Sequence, residues 1–204
     1  MAHIPDGVLS VPVLLGGAAA TAAGLTWSVR SLNAATIPRT AVLSAMFFVA
    51  SLIAVPVGPS SVHLLLTGLM GILLGPLTVA AVFVALILQS VMFGFGGLTT
   101  LGVNTLIIAG PGVVFGTLLA PLIRRSPPGR AGVLAGACGA LAVAGTGAGV
   151  AAALALSSSD YIPSAKIIIA TYLPLMAAEA LVAGFAVTYL KRAKPEALDL
   201  HNGG

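Results

Sequence analysis

The chain has 204 residues, of which 58% are apolar and 7% charged, with a formal net charge of +4 and a mean hydropathy of +1.11. Soluble domains carry roughly a quarter charged residues, so this composition excludes a water-soluble globular protein and marks an integral membrane protein. The nine lysines and arginines lie in short connectors between apolar runs, not on one amphipathic face, so the pI of about 9.7 reports membrane topology and excludes a nucleic-acid surface.

The first basic residue, Arg30, follows the first apolar run, which is the wrong order for a cleaved secretory signal and predicts a retained N-terminus. An α-helix needs about 20 residues to cross a hydrocarbon core of about 30 Å. Seven apolar runs meet or approach that length: 11–29, 40–55, 62–74, 77–93, 104–123, 131–156 and 162–190. The third is short and is expected to tilt or to extend into its flanking glycine and proline. The expected fold is therefore an all-α integral membrane protein of about seven transmembrane helices. Its parts are an N-terminal segment (1–10), a helical domain (11–190) and a tail (191–204).

Within the runs, small residues recur at spacings of four: Gly16, Ala20 and Gly24; Gly71 and Gly75; Gly132 and Gly136; Gly145 and Gly149. Such spacing lets helices approach closely. The single cysteine, Cys138, sits in a Gly/Ala-rich run and reads as a small core residue. Gln89 reads as an interhelical hydrogen bond. Glu179 lies about twelve residues, roughly 18 Å of helix, before Lys191. That places a carboxyl of unassigned role near mid-membrane, where ionisable groups are functional candidates.

Orientation follows from the basic residues, which favour cytoplasmic connectors. With seven spans, Arg30, Arg39, Arg124, Arg125, Arg130, Lys191, Arg192 and Lys194 all fall on one side, and only Lys166, near Asp160, falls on the other. The N-terminus is then outside, folding back into the bundle, and the C-terminus is cytoplasmic. His3 and His63 share the outer face with the glycine-rich loop 93–104, whereas His201 lies in the inner tail.

A terminal amine, a following backbone amide and an imidazole one or two residues along close five- and six-membered chelate rings around one ion. Nitrogen-only ligation of this kind suits Ni(II) and Cu(II), admits Co(II) and disfavours calcium or magnesium. With Met1 removed, the Ala2 amine, the His3 amide and the imidazoles of His3 and His63 supply four nitrogens. With Met1 retained, the first three residues supply four alone and leave His63 axial or unused. Either way the candidate metal set is Met1 or Ala2 with His3 and His63. Asp6, Thr99, Thr100 and Asn104 are outer polar groups placed to hydrogen-bond the ligating imidazoles. Pro5-Asp6-Gly7 is a turn signature that bends the terminus back.

Three motifs in order, Met1-Ala2-His3-Ile4-Pro5-Asp6-Gly7-Val8-Leu9-Ser10, Ser61-Val62-His63-Leu64-Leu65-Leu66-Thr67-Gly68-Leu69 and Gly96-Gly97-Leu98-Thr99-Thr100-Leu101-Gly102-Val103-Asn104-Thr105, resemble the CbiM/NikM family. These are the substrate-binding membrane subunits of cobalt and nickel energy-coupling-factor transporters of the ABC class. The likeness extends over essentially the whole chain in length, topology and motif order. It implies capture of Co2+ or Ni2+ as transported substrate by the terminal amine, His3 and His63. It also implies a bacterial or archaeal plasma membrane. The implied partners are a membrane coupling subunit, two cytoplasmic ATPases and a small accessory membrane subunit. In such transporters a small-residue face of the first helix docks on the coupling subunit, which points to Ala18, Ala19, Ala22 and Ala23. The family pattern places histidine directly after the initiator methionine; Ala2 intervenes here, and loss of Met1 restores the spacing.

Two other functions place different demands on the sequence. A vitamin-binding subunit of the same transporter type needs a larger pocket with few chelating groups. An intramembrane metalloenzyme needs an acid-base pair beside the ion, and the sequence has no H-E-x-x-H helix. There is likewise no G-x-x-x-x-G-K-[ST] phosphate loop, so an energy source for uptake is expected in partner subunits.

Overall fold

The computed structural model describes residues 3–53, 55–57 and 60–198. Met1, Ala2 and His201 lie outside the described residues. Seven α-helices are present among those described: α1 (Val11–Val29), α2 (Thr36–Leu52), α3 (Thr67–Leu74), α4 (Leu77–Phe93), α5 (Leu101–Arg125), α6 (Pro128–Ser157) and α7 (Ile162–Ala193). A two-stranded hairpin, β1 (Val55–Val57) and β2 (Ser60–Val62), pairs Val55 with Val62 and Val57 with Ser60 in antiparallel register between α2 and α3.

Punctuation in the sequence accounts for most boundaries. Proline stands in the first turn of α1, α6 and α7, where its fixed φ suits a helix start and its missing N–H costs nothing. α4 ends on Gly94 at φ +66°, the left-handed cap that glycine adopts without strain. α3 departs from the expected run 62–74. It begins at Thr67 because residues 60–62 are drawn into the hairpin and residues 63–66 are extended or turned, ending on Leu66 at φ +56°.

Among the described residues, four helical stretches are long and apolar enough to cross a membrane: Val11–Val29, Leu101–Arg125, Pro128–Ser157 and Thr171–Ala193. Thr36–Leu52 and Leu77–Phe93 are shorter at 17 residues each, and α3, at eight residues, spans only about 12 Å. Large apolar side chains of the long helices, Leu118, Leu181 and Phe185 among them, face outward, as a surface meeting lipid tails requires. α3 is the reverse, buried on nearly every face against α5 and α6.

Backbone proximity at glycine makes that central position possible. A Cβ on Gly71 would lie 1.8 Å from the Gly112 carbonyl oxygen, and one on Gly116 would lie 2.2 Å from the Gly71 carbonyl carbon. Gly68 meets Gly139 of α6 in the same way, at 2.6 Å from its Cα. Gly132 and Gly136 pack on α7, and Gly145 and Gly149 pack on α5, so α6 presents small residues on two sides. On α1 the close contact falls one residue from the expected Gly16: Gly17 is buried against Val103, while nothing lies within 4 Å of a Cβ on Gly16. Gln89 donates to the Ser51 hydroxyl across α4 and α2, and Cys138 is buried and free; both match expectation.

Basic residues gather at one end of the bundle. Arg39 donates to the Ala197 carbonyl and Arg124 to the Leu198 carbonyl at 2.7 Å, while Lys191 reaches the Arg124 carbonyl at 2.6 Å. Leu198 is thereby seated among Leu69, Ile72 and Ile123. α5 is 25 residues, about 37 Å, long, so its start belongs to the end opposite its arginines, where His3 and His63 lie.

Gly116→Ala is expected to lower the thermal unfolding midpoint of the detergent-solubilised protein, by the equivalent of about 1–3 kcal/mol or more for an overpacked contact. Gly16→Ala, where a Cβ meets nothing within 4 Å, should hold or raise the midpoint in the same scan.

Candidate metal site

The N-terminal segment enters the bundle as an extended strap anchored by apolar burial of Ile4 and Leu9. Gly7, at φ +82°, makes the turn expected of Pro5-Asp6-Gly7. Asn104, in the first turn of α5, grips the main chain of Ile4 from both sides: its Oδ1 accepts from the Ile4 N–H at 2.9 Å and its Nδ2 donates to the Ile4 carbonyl at 3.0 Å. The Thr100 hydroxyl donates to the same carbonyl at 2.8 Å. The carboxylate of Asp6 accepts from the amides of Leu98, Thr99 and Thr100 and from the Thr99 hydroxyl. The Thr99 hydroxyl bond, followed by the backbone amides, holds the Asp6 pKa below the usual carboxylate value.

These four residues converge on the terminal strap, but through its backbone and through one another. They make no hydrogen bond to the imidazoles, as the sequence had suggested they would. Their effect is positional. Gly96 and Gly97, unremarked individually in the sequence, are the space-makers: a Cβ on Gly97 would stand 2.0 Å from Asp6 Oδ1, and one on Gly96 would press on His3 Cβ at 3.4 Å. A glycine pair in a loop facing the N-terminus is the signal that pointed to them.

His3 is thereby carried to His63. Both are buried, at 7% and 3% exposure, with ring centroids 5.1 Å apart and planes 17° from parallel. His63 Nδ1 lies 3.1 Å from the Leu64 carbonyl; an oxygen acceptor there requires Nδ1–H and leaves Nε2 with its lone pair. That Nε2 and both ring nitrogens of His3 have no hydrogen-bond partner among the described residues. A buried polar atom left unpaired costs about 1–3 kcal/mol, so three together form an unusual concentration that a ligand would satisfy. Imidazole nitrogens bind a first-row metal at about 2.0–2.1 Å, and rings whose centroids stand 5.1 Å apart can share one ion after a modest reorientation from their near-parallel setting.

Burial, reinforced by neighbouring His63, lowers the His3 pKa from 6.5 to about 3, and burial lowers that of His63 as well. Both rings are therefore neutral at physiological pH and free to donate lone pairs. Met1 and Ala2, the remaining candidate ligands, lie outside the described residues. Glu179 is 1% exposed on α7 and its Oε1 accepts from the Leu65 and Leu66 amides, the latter at 2.8 Å.

Fold and composition together define a multi-pass helical membrane protein. Solved structures share its architecture: a truncated transition metal transporter superposes with a TM-score of 0.77 at 21% identity, covering 93% of this chain and 98% of that one. A second transition metal transporter gives 0.76 at 22% identity, over 93% and 92%. The family model CbiM, described as a cobalt uptake substrate-specific transmembrane region, matches residues 3–197, and the chain belongs to that family. Among relatives, a putative metal transport protein of Haemophilus influenzae is 35% identical over 97% of each chain. The cobalt transport protein CbiM of Sorangium cellulosum is 34% identical over 79% of this chain and 76% of its own. The fused nickel transport protein NikMN of Rhodobacter capsulatus is 37% identical over 52% of this chain and 33% of its own.

Protonation of the buried pair is expected to destabilise the metal-free protein. The folded-state pKa of His3, about 3, lies below its unfolded value near 6.5. The unfolded chain therefore binds more protons between those values, so this contribution is complete above pH 6.5 and is lost as pH falls toward 3. Thermal midpoints measured from pH 7 to pH 4 should fall, and the slope should flatten in a His3→Gln/His63→Gln variant.

Proposed function

We propose that the chain is the substrate-capture subunit of an energy-coupling-factor importer for divalent cobalt or nickel, and that it binds the ion at the outer face through nitrogen alone. Membership of the cobalt-uptake family supports the transport role. The observation that carries the site is the trio of buried imidazole nitrogens on His3 and His63 without partners among the described residues.

In this reading the four donors are the Ala2 amine, the His3 amide and the two imidazoles, with Met1 removed. The Nε2 of His63, buried beside the His3 ring and without a hydrogen-bond partner among the described residues, supports that set over the alternative in which the first three residues ligate alone. The set suits a tetragonal divalent ion, and the Irving–Williams order makes Ni(II) the tighter binder of the two. Asn104, Thr100 and Asp6 hold the strap against the bundle, so release of the ion inside requires those bonds to yield or the whole chain to reorient.

The N-terminus lies outside and the C-terminus inside, since the end carrying Arg39, Arg124 and Lys191 fits the cytoplasmic face. That end is where a membrane coupling subunit and two ATPases would engage, and a small accessory membrane subunit completes the assembly. The exposed face of α1, with Ala18, Ala19, Ala22 and Ala23, offers the coupling subunit a close-packing surface.

Ni(II) titration of the purified chain with its native N-terminus should show tight one-to-one binding, reduced at least tenfold by His63→Ala. A tag fused before Met1 should abolish binding. Unchanged affinity in the tagged protein would remove the terminal amine from the ligand set. Intact mass should correspond to a chain lacking its first methionine; a retained Met1 with full affinity would defeat the processed four-nitrogen site.

A further inference from the structure

Among the described residues Glu179 is the buried carboxyl, and the ligand set leaves it unused. Its Oε1 accepts from two consecutive peptide N–H groups, those of Leu65 and Leu66, at the point where the extended segment after the hairpin turns into α3. Both amides belong to the two residues just before Thr67, the first of α3, and the carboxyl that holds them comes from α7, 113 positions away in sequence. A carboxylate accepting peptide N–H forms the stronger, charge-assisted kind of hydrogen bond.

The geometry it fixes is otherwise unfavourable. Leu66 sits at φ +56°, a left-handed conformation that costs an ordinary side chain energy and persists only when its surroundings dictate it. Helix α3 is braced immediately below by Gly68 against Gly139, whose own neighbour is the Glu179 carbonyl: a Cβ on Gly139 would stand 2.8 Å from that oxygen. α3, α6 and α7 thus meet at one node. From this node the chain runs back three residues to His63, whose Nδ1–H is received by the Leu64 carbonyl, the carbonyl of the very peptide group whose N–H belongs to Leu65.

We propose that Glu179 is a positioning residue for ion capture: from α7 it holds the Leu64-Leu65 and Leu65-Leu66 peptide groups, and through the Leu64 carbonyl it sets the tautomer and direction of the His63 ring. The proposal rests on the reading of His63 as a ligand. It makes the affinity of the site depend on where α7 stands relative to α3, so a displacement of α7 weakens the grip on the ion without touching a ligand. The carboxyl acts through His63 and does not itself touch the ion.

The test is Ni(II) titration of the full chain with a free N-terminus, following both affinity and the absorption band of the bound ion. Glu179→Gln keeps the shape of the acceptor and loses its charge. It should bind Ni(II) about 10- to 100-fold more weakly, as changes behind a metal ligand do, with a displaced band and with the metal-free thermal midpoint retained. Wild-type affinity and an unchanged band in Glu179→Gln would overturn the proposal. So would an affinity loss with the band unchanged and the midpoint lowered, which marks a purely structural carboxyl. A second measurement needs no variant: 15N spectra of histidine-labelled, metal-free wild-type protein should show His63 as the Nδ1–H tautomer, and an Nε2–H ring would equally overturn it. His63→Ala in the same titration separates the two readings. If that variant keeps wild-type affinity, the ligand assignment itself has failed; if it loses affinity while Glu179→Gln does not, only the role of Glu179 has.

Discussion

Inside a bundle surrounded by hydrocarbon there is no water to satisfy a stray N–H or carbonyl, and the cost of leaving one unpaired falls on folding itself. Near the N-terminal strap that constraint is met for the buried backbone. The Ile4 amide and carbonyl are taken by Asn104 and Thr100, and the amides of Leu65 and Leu66 by Glu179. Against such pairing, the three imidazole nitrogens of His3 and His63 without a partner among the described residues are set apart by chemistry as well as by place. The surroundings spend their polar groups on holding backbone, which leaves the imidazoles free for something that is not protein.

The rigidity of this arrangement comes from glycine. Contacts such as Gly71 with Gly112 and Gly68 with Gly139 bring helix axes together until main chain touches main chain, leaving no side chains at those points to reorganise. α3 is held in this vice, and α3 is what His63 leads into. The polar pairing at one end and the glycine contacts in the middle are therefore parts of one mechanical unit, with α6 and α7 as its outer wall.

Much of this was legible in the sequence. The limits of α1 and α4 were readable to the residue, because proline and glycine stand where a helix starts or stops. The histidines stood out by rarity, being polar groups in a chain with 7% charged residues. The start of α3 was not legible: 62–66 is an apolar run that reads as helix, and what unwinds it is pairing of Val62 with Val55 and a carboxyl more than a hundred residues further on. Asp6, Thr99, Thr100 and Asn104 were legible as a group near the site, yet the direction of their bonds was not. A side chain that can grip either an imidazole or a peptide is decided by distances that only the fold supplies. Gly17 was passed over for Gly16 for a similar reason, since spacing identifies a small-residue stripe but not which of its members faces the neighbouring helix.

The clamp on Ile4 also has a consequence in time. Asn104 follows Ile4 by 100 residues, and a ribosome adding roughly 5–20 residues per second needs about 5–20 s to make the second partner after the first. Throughout that interval the side chain that grips Ile4 does not yet exist. The strap is therefore seated only after α5 has been made, and the docking of the first described residues, with the burial of His3 and Ile4, waits on the middle of the chain.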